Sequence, residues 1–155
     1  MRATLHAINV SDGGVPKLAR AECAVRRNGL EGDRQRDLEN HGGPDRAVCV
    51  FSLQLIEALQ AEGHPIRPGT IGENFTLSGV AWESMVPGAR LEVGAVALEL
   101  TDYAPPCRNI AGSFHNRKFV RVSHKAHPGW SRLYARVLAE GTVRVGDEVR
   151  LRSAA

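Results

Sequence analysis

Gly94-Ala95-Val96-Ala97-Leu98-Glu99-Leu100-Thr101-Asp102-Tyr103-Ala104-Pro105-Pro106-Cys107-Arg108 is the stretch that decides the fold. Val96, Leu98 and Leu100 alternate with Ala97 and Glu99, the period of two that a strand with one buried face requires. Pro105-Pro106 ends the strand, because proline has no backbone N–H to give to a ladder. Cys107 follows at once, so a thiol sits on a stiff loop at a sheet rim with Arg108 beside it. A neighbouring cation favours thiolate, the nucleophilic and metal-binding form of cysteine.

The same punctuation recurs outward from this strand. Residues 89–93 follow Pro87-Gly88, and residues 74–77 lie between Gly72 and Gly79. Residues 47–51 form a continuous apolar run, short enough for a buried strand. Ser52 then caps a helix to about Glu62, with Leu53, Ile56 and Leu59 at helical spacing and Gly63 and Pro65 to stop it. Residues 3–10 are β-rich, and a second apolar segment over 17–26 ends at Asn28-Gly29. Residues 131–140 suit a helix or a strand. Residues 142–152 read as a hairpin around Gly146-Asp147. Many short strands with few helices predict a mostly β fold, closed or nearly closed into a β-barrel, because closure removes exposed edges.

The 155 residues fit one domain over 1–155, and the 43% hydrophobic and 24% charged content is that of a globular chain. Aromatics are only 5%, so the core must be aliphatic. A net charge of +3, with no long Lys/Arg run, argues against a nucleic-acid arm and leaves room for a local basic pocket for a small anion. No apolar stretch approaches the roughly 18 residues of a membrane span. The N-terminus has no signal pattern, and three cysteines without close spacing predict a cytoplasmic protein without disulfides.

Chemistry concentrates in a few places. Cys23 and Cys49 lie within apolar segments and read as core. Residues 28–46 carry four glycines, five acids and three arginines with almost nothing apolar, which marks a functional loop. Its glycines would let backbone N–H groups approach an anion, and its arginines add a fork matched to phosphate. It is neither a Walker loop nor a dinucleotide fingerprint. His124 and His127 offer too few ligands for zinc. A Cys107, His41, Asp45 hydrolase triad fits by residue type, with no spacing rule to decide it.

Five motifs stand in order: Gly29-Leu30-Glu31-Gly32-Asp33; His41-Gly42-Gly43-Pro44-Asp45-Arg46-Ala47-Val48; Gly72-Glu73-Asn74-Phe75; Pro106-Cys107; and Tyr134-Ala135-Arg136-Val137-Leu138 with Gly141, Val143, Gly146 and Asp147. Together they resemble the MOSC family, named for the C-terminal domain of molybdenum cofactor sulfurases, and in particular its small stand-alone bacterial members. The likeness runs from about residue 18 to 152.

The resemblance implies a barrel of the pyruvate-kinase type with a few short helices, and strand over 131–139. It implies the molybdenum cofactor (molybdopterin), with Cys107 as metal ligand, and reduction of N-hydroxylated small-molecule substrates with electrons from a partner protein. The alternative is a non-catalytic carrier that passes sulfur or cofactor to a molybdoenzyme through a Cys107 persulfide. Pyridoxal phosphate is not expected. Arg34, Arg46 and Arg108 are then candidates to hold the cofactor, with Gly32, Asp33, Gly42 and Gly43 shaping the site. Glu73 and Asn74 would hydrogen-bond the pterin or order the rim, and His41 could donate a proton near neutral pH.

Overall fold

The computed structural model describes residues 2–34 and 43–154. Eleven strands are present among them: β1 Thr4–Val10, β2 Leu18–Arg20, β3 Glu22–Arg26, β4 Gly29–Leu30, β5 Val48–Ser52, β6 Phe75–Ser78, β7 Arg90–Val93, β8 Val96–Tyr103, β9 Leu133–Ala139, β10 Gly141–Arg144 and β11 Val149–Arg152. One α-helix, α1 Leu53–Ala61, joins β5 to β6, and short 3-10 turns fill much of 108–122. The ambiguous stretch after residue 130 is strand, as the motif likeness implied.

Eight strands form one sheet in the order β11-β7-β8-β9-β5-β6-β1-β2, and β10-β3-β4 form a second. The fold is mostly β, but neither sheet closes into a barrel. Residues 3–5 do reach the 146–149 turn, through Leu5 N–H to Asp147 O (2.8 Å) and Val149 N–H to Ala3 O (2.9 Å). That contact amounts to one isolated bridge, Thr4 with Glu148, and β2 and β11 remain edges.

The expected C-terminal hairpin is also absent. The turn itself forms, with Arg144 N–H donating to Asp147 Oδ2 at 2.8 Å. The strands on either side then part, β10 pairing with β3 and β11 with β7. The apolar segment 17–26 splits in the same way, β2 joining the large sheet and β3 the small one.

β5 sits at the centre of the large sheet, parallel to β6 and antiparallel to β9, and all five of its residues are buried. A strand covered on both faces must be apolar throughout. The Ser52 hydroxyl caps α1 by accepting from Leu55 N–H at 3.1 Å, and Ile56 and Leu59 turn inward. Gly63, at φ +100°, ends the helix. The core is largely aliphatic, with Phe51 and Phe75 fully buried and Trp82 packed edge-on against Phe51 at 5.9 Å.

Alternation along β5 gives it two roles. Val48 and Val50 face the main core, whereas Cys49 joins Tyr134 and Ala104 in a separate buried cluster. That cluster is the floor on which the site is built.

Candidate functional site

Four segments meet at this floor. The first is the end of β8 and the loop to Cys107. Ala104 N–H donates to Arg132 O (2.9 Å), and the Arg132 guanidinium reaches Pro105 O through Nη2 (3.3 Å). The same guanidinium donates from Nη1 to Ile71 O (2.8 Å), at the start of the second segment, Gly72-Glu73-Asn74. Arg132 is 6% exposed, so one buried cation ties both loops together.

The Asn74 side chain is wholly buried. Its Oδ1 accepts from Cys49 N–H (2.9 Å), and its Nδ2 donates to Asn9 O (3.2 Å) and Asp33 Oδ2 (2.9 Å). Asp33 belongs to the third segment, the loop after β4. Its Oδ1 accepts from Lys17 Nζ (2.6 Å) and Ser11 N–H (2.9 Å). Asp33 and Asn74 therefore form a frame beneath the site, with their polar atoms committed to protein partners. Gly29 opens this segment at φ +126°, where a Cβ would lie 2.8 Å from Ala47 O. Only glycine fits that approach.

The fourth segment is the 3-10 turn Pro44–Arg46. The Thr101 hydroxyl of β8 donates to Asp45 O, and Asp45 pairs with Arg136 at 3.5 Å. Thus anchored, the turn places the half-buried Arg46 guanidinium 5.4 Å from the centre of the Tyr134 ring.

The three thiols differ sharply. Burial pushes the Cys49 thiol up to about 11, and burial raises Cys23 as well. Cys107 is half-buried, at the head of the turn Arg108–Ser113, where its carbonyl accepts from Ile110 N–H at 3.1 Å. Burial drives the Tyr134 hydroxyl far above its ordinary range. Cys49 and Cys107 add to that rise, and Arg132 and Arg46 oppose it. Cys107, Cys49 and the two guanidiniums thus all lie within electrostatic reach of the Tyr134 hydroxyl.

Glu73 is fully buried, and burial lifts its carboxyl to about 7, against the pull of the Thr76 hydroxyl and Arg132. Its Oε1 has no well-formed hydrogen-bond partner, and neither does Arg132 Nε. The Gly69 and Glu73 backbone N–H groups and the Arg132 charge nevertheless act on this carboxyl.

Of the residues singled out from sequence, Cys107, Arg46, Glu73, Asn74 and Asp33 converge here. Arg108 is exposed beside Cys107. Arg34 and Gly32 are exposed on the loop after β4, and Gly43 precedes the 3-10 turn in open space. His41 and Gly42 lie outside the described residues. Among the described residues, no group of three or more His, Cys, Asp or Glu is placed to hold a metal ion. His124 instead stacks flat on Tyr103 at 3.6 Å. No described helix is long and apolar enough to cross a membrane.

Sequence reasoning missed Lys17, Arg132 and the place of Tyr134. Nothing in spacing sets Arg132 apart from the other nineteen lysines and arginines. Its signal is burial, which only the fold reveals.

A model of the MOSC domain matches residues 37–150. The chain belongs to the MOSC domain family. It is 30% identical over 145 residues to YflK, an uncharacterized protein of Bacillus subtilis (strain 168), covering 93% of this chain and 65% of that one. It is 26% identical over 135 residues to protein YiiM of Escherichia coli (strain K12), covering 84% of this chain and 59% of that one. The MOSC chain thus spans about three fifths of the length of these two relatives. Among solved structures, the YUAD protein of Bacillus subtilis superposes with a TM-score of 0.80 at 19% identity, covering 100% of this chain and 98% of that one. YiiM from Geobacillus stearothermophilus gives 0.71 at 22% identity, covering 97% and 75%. These likenesses speak for the fold.

Proposed function

We propose that this MOSC domain binds the molybdenum cofactor at the Cys107 rim and reduces N-hydroxylated compounds, with Cys107 as the thiolate ligand of the metal. One observation carries the reading. Cys107 is the accessible thiol of the three, and a buried guanidinium pins the loop that presents it.

The residues present suit the group. Thiolate is the ligand type that soft-tolerant metals favour. Arg46 and Arg108, with Arg34 further out, supply guanidiniums for the phosphate and pterin. When bound, the cofactor would supply the two electrons that cleave an N–O bond, and two protons must arrive with them. Glu73, titrating near 7, can hold one of these close to neutral pH. Asp33 and Asn74 keep the loops in register and touch no ligand.

The electrons would come from a separate donor protein, and free thiols of this kind suit the cytoplasm. The test is molybdenum content by elemental analysis of freshly isolated protein, beside a Cys107→Ser variant. About one Mo per chain, lost in Cys107→Ser without a change in the unfolding midpoint, is the expected result. A Cys107 persulfide with no molybdenum would overturn it in favour of a sulfur carrier.

A further inference from the structure

The turns that follow Cys107 build a second feature. Residues 117–121, together with His64 and His127, line an open cavity of about 360 Å³. That size falls within the range of small-molecule pockets. Its walls combine apolar Phe119 and Val120 with the cations Arg117, Lys118 and Arg121.

The charges are not balanced. Arg121 is neutralised by Glu62, through Nε at 2.9 Å and Nη2 at 2.8 Å, and lies flat on Trp130 at 3.9 Å. Arg117 and Lys118 have no carboxylate partner among the described residues. The excess at the mouth is therefore two positive charges. Arg121 also keeps one buried nitrogen, Nη1, without an acceptor.

The backbone is held for this arrangement. Asn116 and Arg117 both adopt left-handed conformations, at φ 55° and 59°, and the turn is closed by Arg117 N–H to Phe114 O (3.0 Å). Two such residues in succession are costly, and strain of this kind gathers at binding sites. On the far wall, His64 Nδ1 accepts from His115 N–H at 3.0 Å, which leaves the proton on Nε2, 3.5 Å from Glu62.

We propose that this cavity binds a phosphomonoester on an apolar organic body, as a ligand separate from the group at Cys107. A phosphomonoester carries between about 1.5 and 2 negative charges at neutral pH. That matches Arg117 and Lys118, while its ester body would lie on Phe119 and Val120. The site does not depend on the Cys107 reading, because none of its lining residues is among those assigned to the Cys107 rim.

The experiment is calorimetric titration of the isolated protein with phenyl phosphate, with phenol as the neutral control. Phenyl phosphate binds and phenol does not. Arg117→Ala with Lys118→Ala weakens binding at least about tenfold at an unchanged unfolding midpoint, whereas Lys118→Arg retains it. Cys107→Ser and molybdenum-loaded protein bind as the unmodified chain does. Equal binding of phenol, an unaffected double variant, or loss of binding on cofactor loading would each sink the proposal.

Discussion

The Lys17 ammonium lies 2.6 Å from the Asp33 carboxylate, with 7% and 4% of the two side chains exposed. The pair joins the segment before β2 to the loop after β4, and the same carboxylate takes the Asn74 amide. Three stretches distant in sequence thus depend on one buried carboxylate.

Lys17→Met removes the cation and leaves Asp33 buried. Breaking one side of such a pair costs about 3–5 kcal/mol. Urea unfolding should show a loss of this size, and Asp33→Asn should also destabilise, because its single amide oxygen can serve Ser11 N–H or the Asn74 amide but not both and Lys17 loses its carboxylate. Equal stability of Lys17→Met and the parent chain would mean that water reaches the pair.

Glu73 makes stability depend on pH in an unusual direction. Its folded value, about 7, lies above the ordinary 4.5, so between those values the folded chain keeps a proton that the unfolded chain has released. The contribution is full below about 4.5, falls as pH rises, and levels off above about 7. The difference amounts to roughly 3 kcal/mol across that window. Glu73→Gln should flatten this slope and gain stability relative to the parent chain at pH 8. Parallel profiles would place the titration elsewhere.

Alkylation should separate the thiols. A rise of the Cys49 thiol to about 11 from 9.0 removes about 99% of its thiolate, so it should react about 100-fold slower than in the unfolded chain from this cause alone. Mass mapping after brief iodoacetamide treatment should find Cys107 modified first, with Cys23 and Cys49 labelled only in urea. Labelling of Cys49 at a comparable rate in the native protein would mean that the floor opens.

The β8 strand and α1 were legible because their information is local: a period of two, a serine cap, a glycine stop. The 142–152 segment was not, because a turn around Asp147 says nothing about which sheet each arm joins, and β3 and β7 supply those partners. Barrel closure failed for the same reason, since the edges depend on long-range pairing. At the site, motif order located Cys107, Arg46, Glu73 and Asn74. It could not show that Asp33 and Asn74 spend their atoms on Lys17, Ser11, Asn9 and Cys49. A lysine or arginine in sequence reads as surface, so the burial of Lys17 and Arg132 left no local trace.

Arg132 gives the most direct test of how the rim is held. Its two carbonyl contacts, Ile71 O at 2.8 Å and Pro105 O at 3.3 Å, belong to different loops, and both are lost in Arg132→Met. Hydrogen bonds to a charged group are worth about 1.5–3 kcal/mol each, and methionine recovers part of this by packing, so a net loss of about 2–4 kcal/mol is expected. A uniform loss of stability would not distinguish clamp from filler, but amide exchange does. Protection should fall together at Ala104 and Ile110, on either side of Cys107, and over Gly72 to Asn74, while β7 and β8, paired from Arg90 to Val93, exchange as before. Arg132→Lys, which keeps a cation and can reach one carbonyl, should protect one loop and release the other. If both loops kept their protection in Arg132→Met, Cys107 would owe its position to the backbone, through Pro105-Pro106 and the Ala104–Arg132 and Ile110–Cys107 main-chain bonds, rather than to the guanidinium.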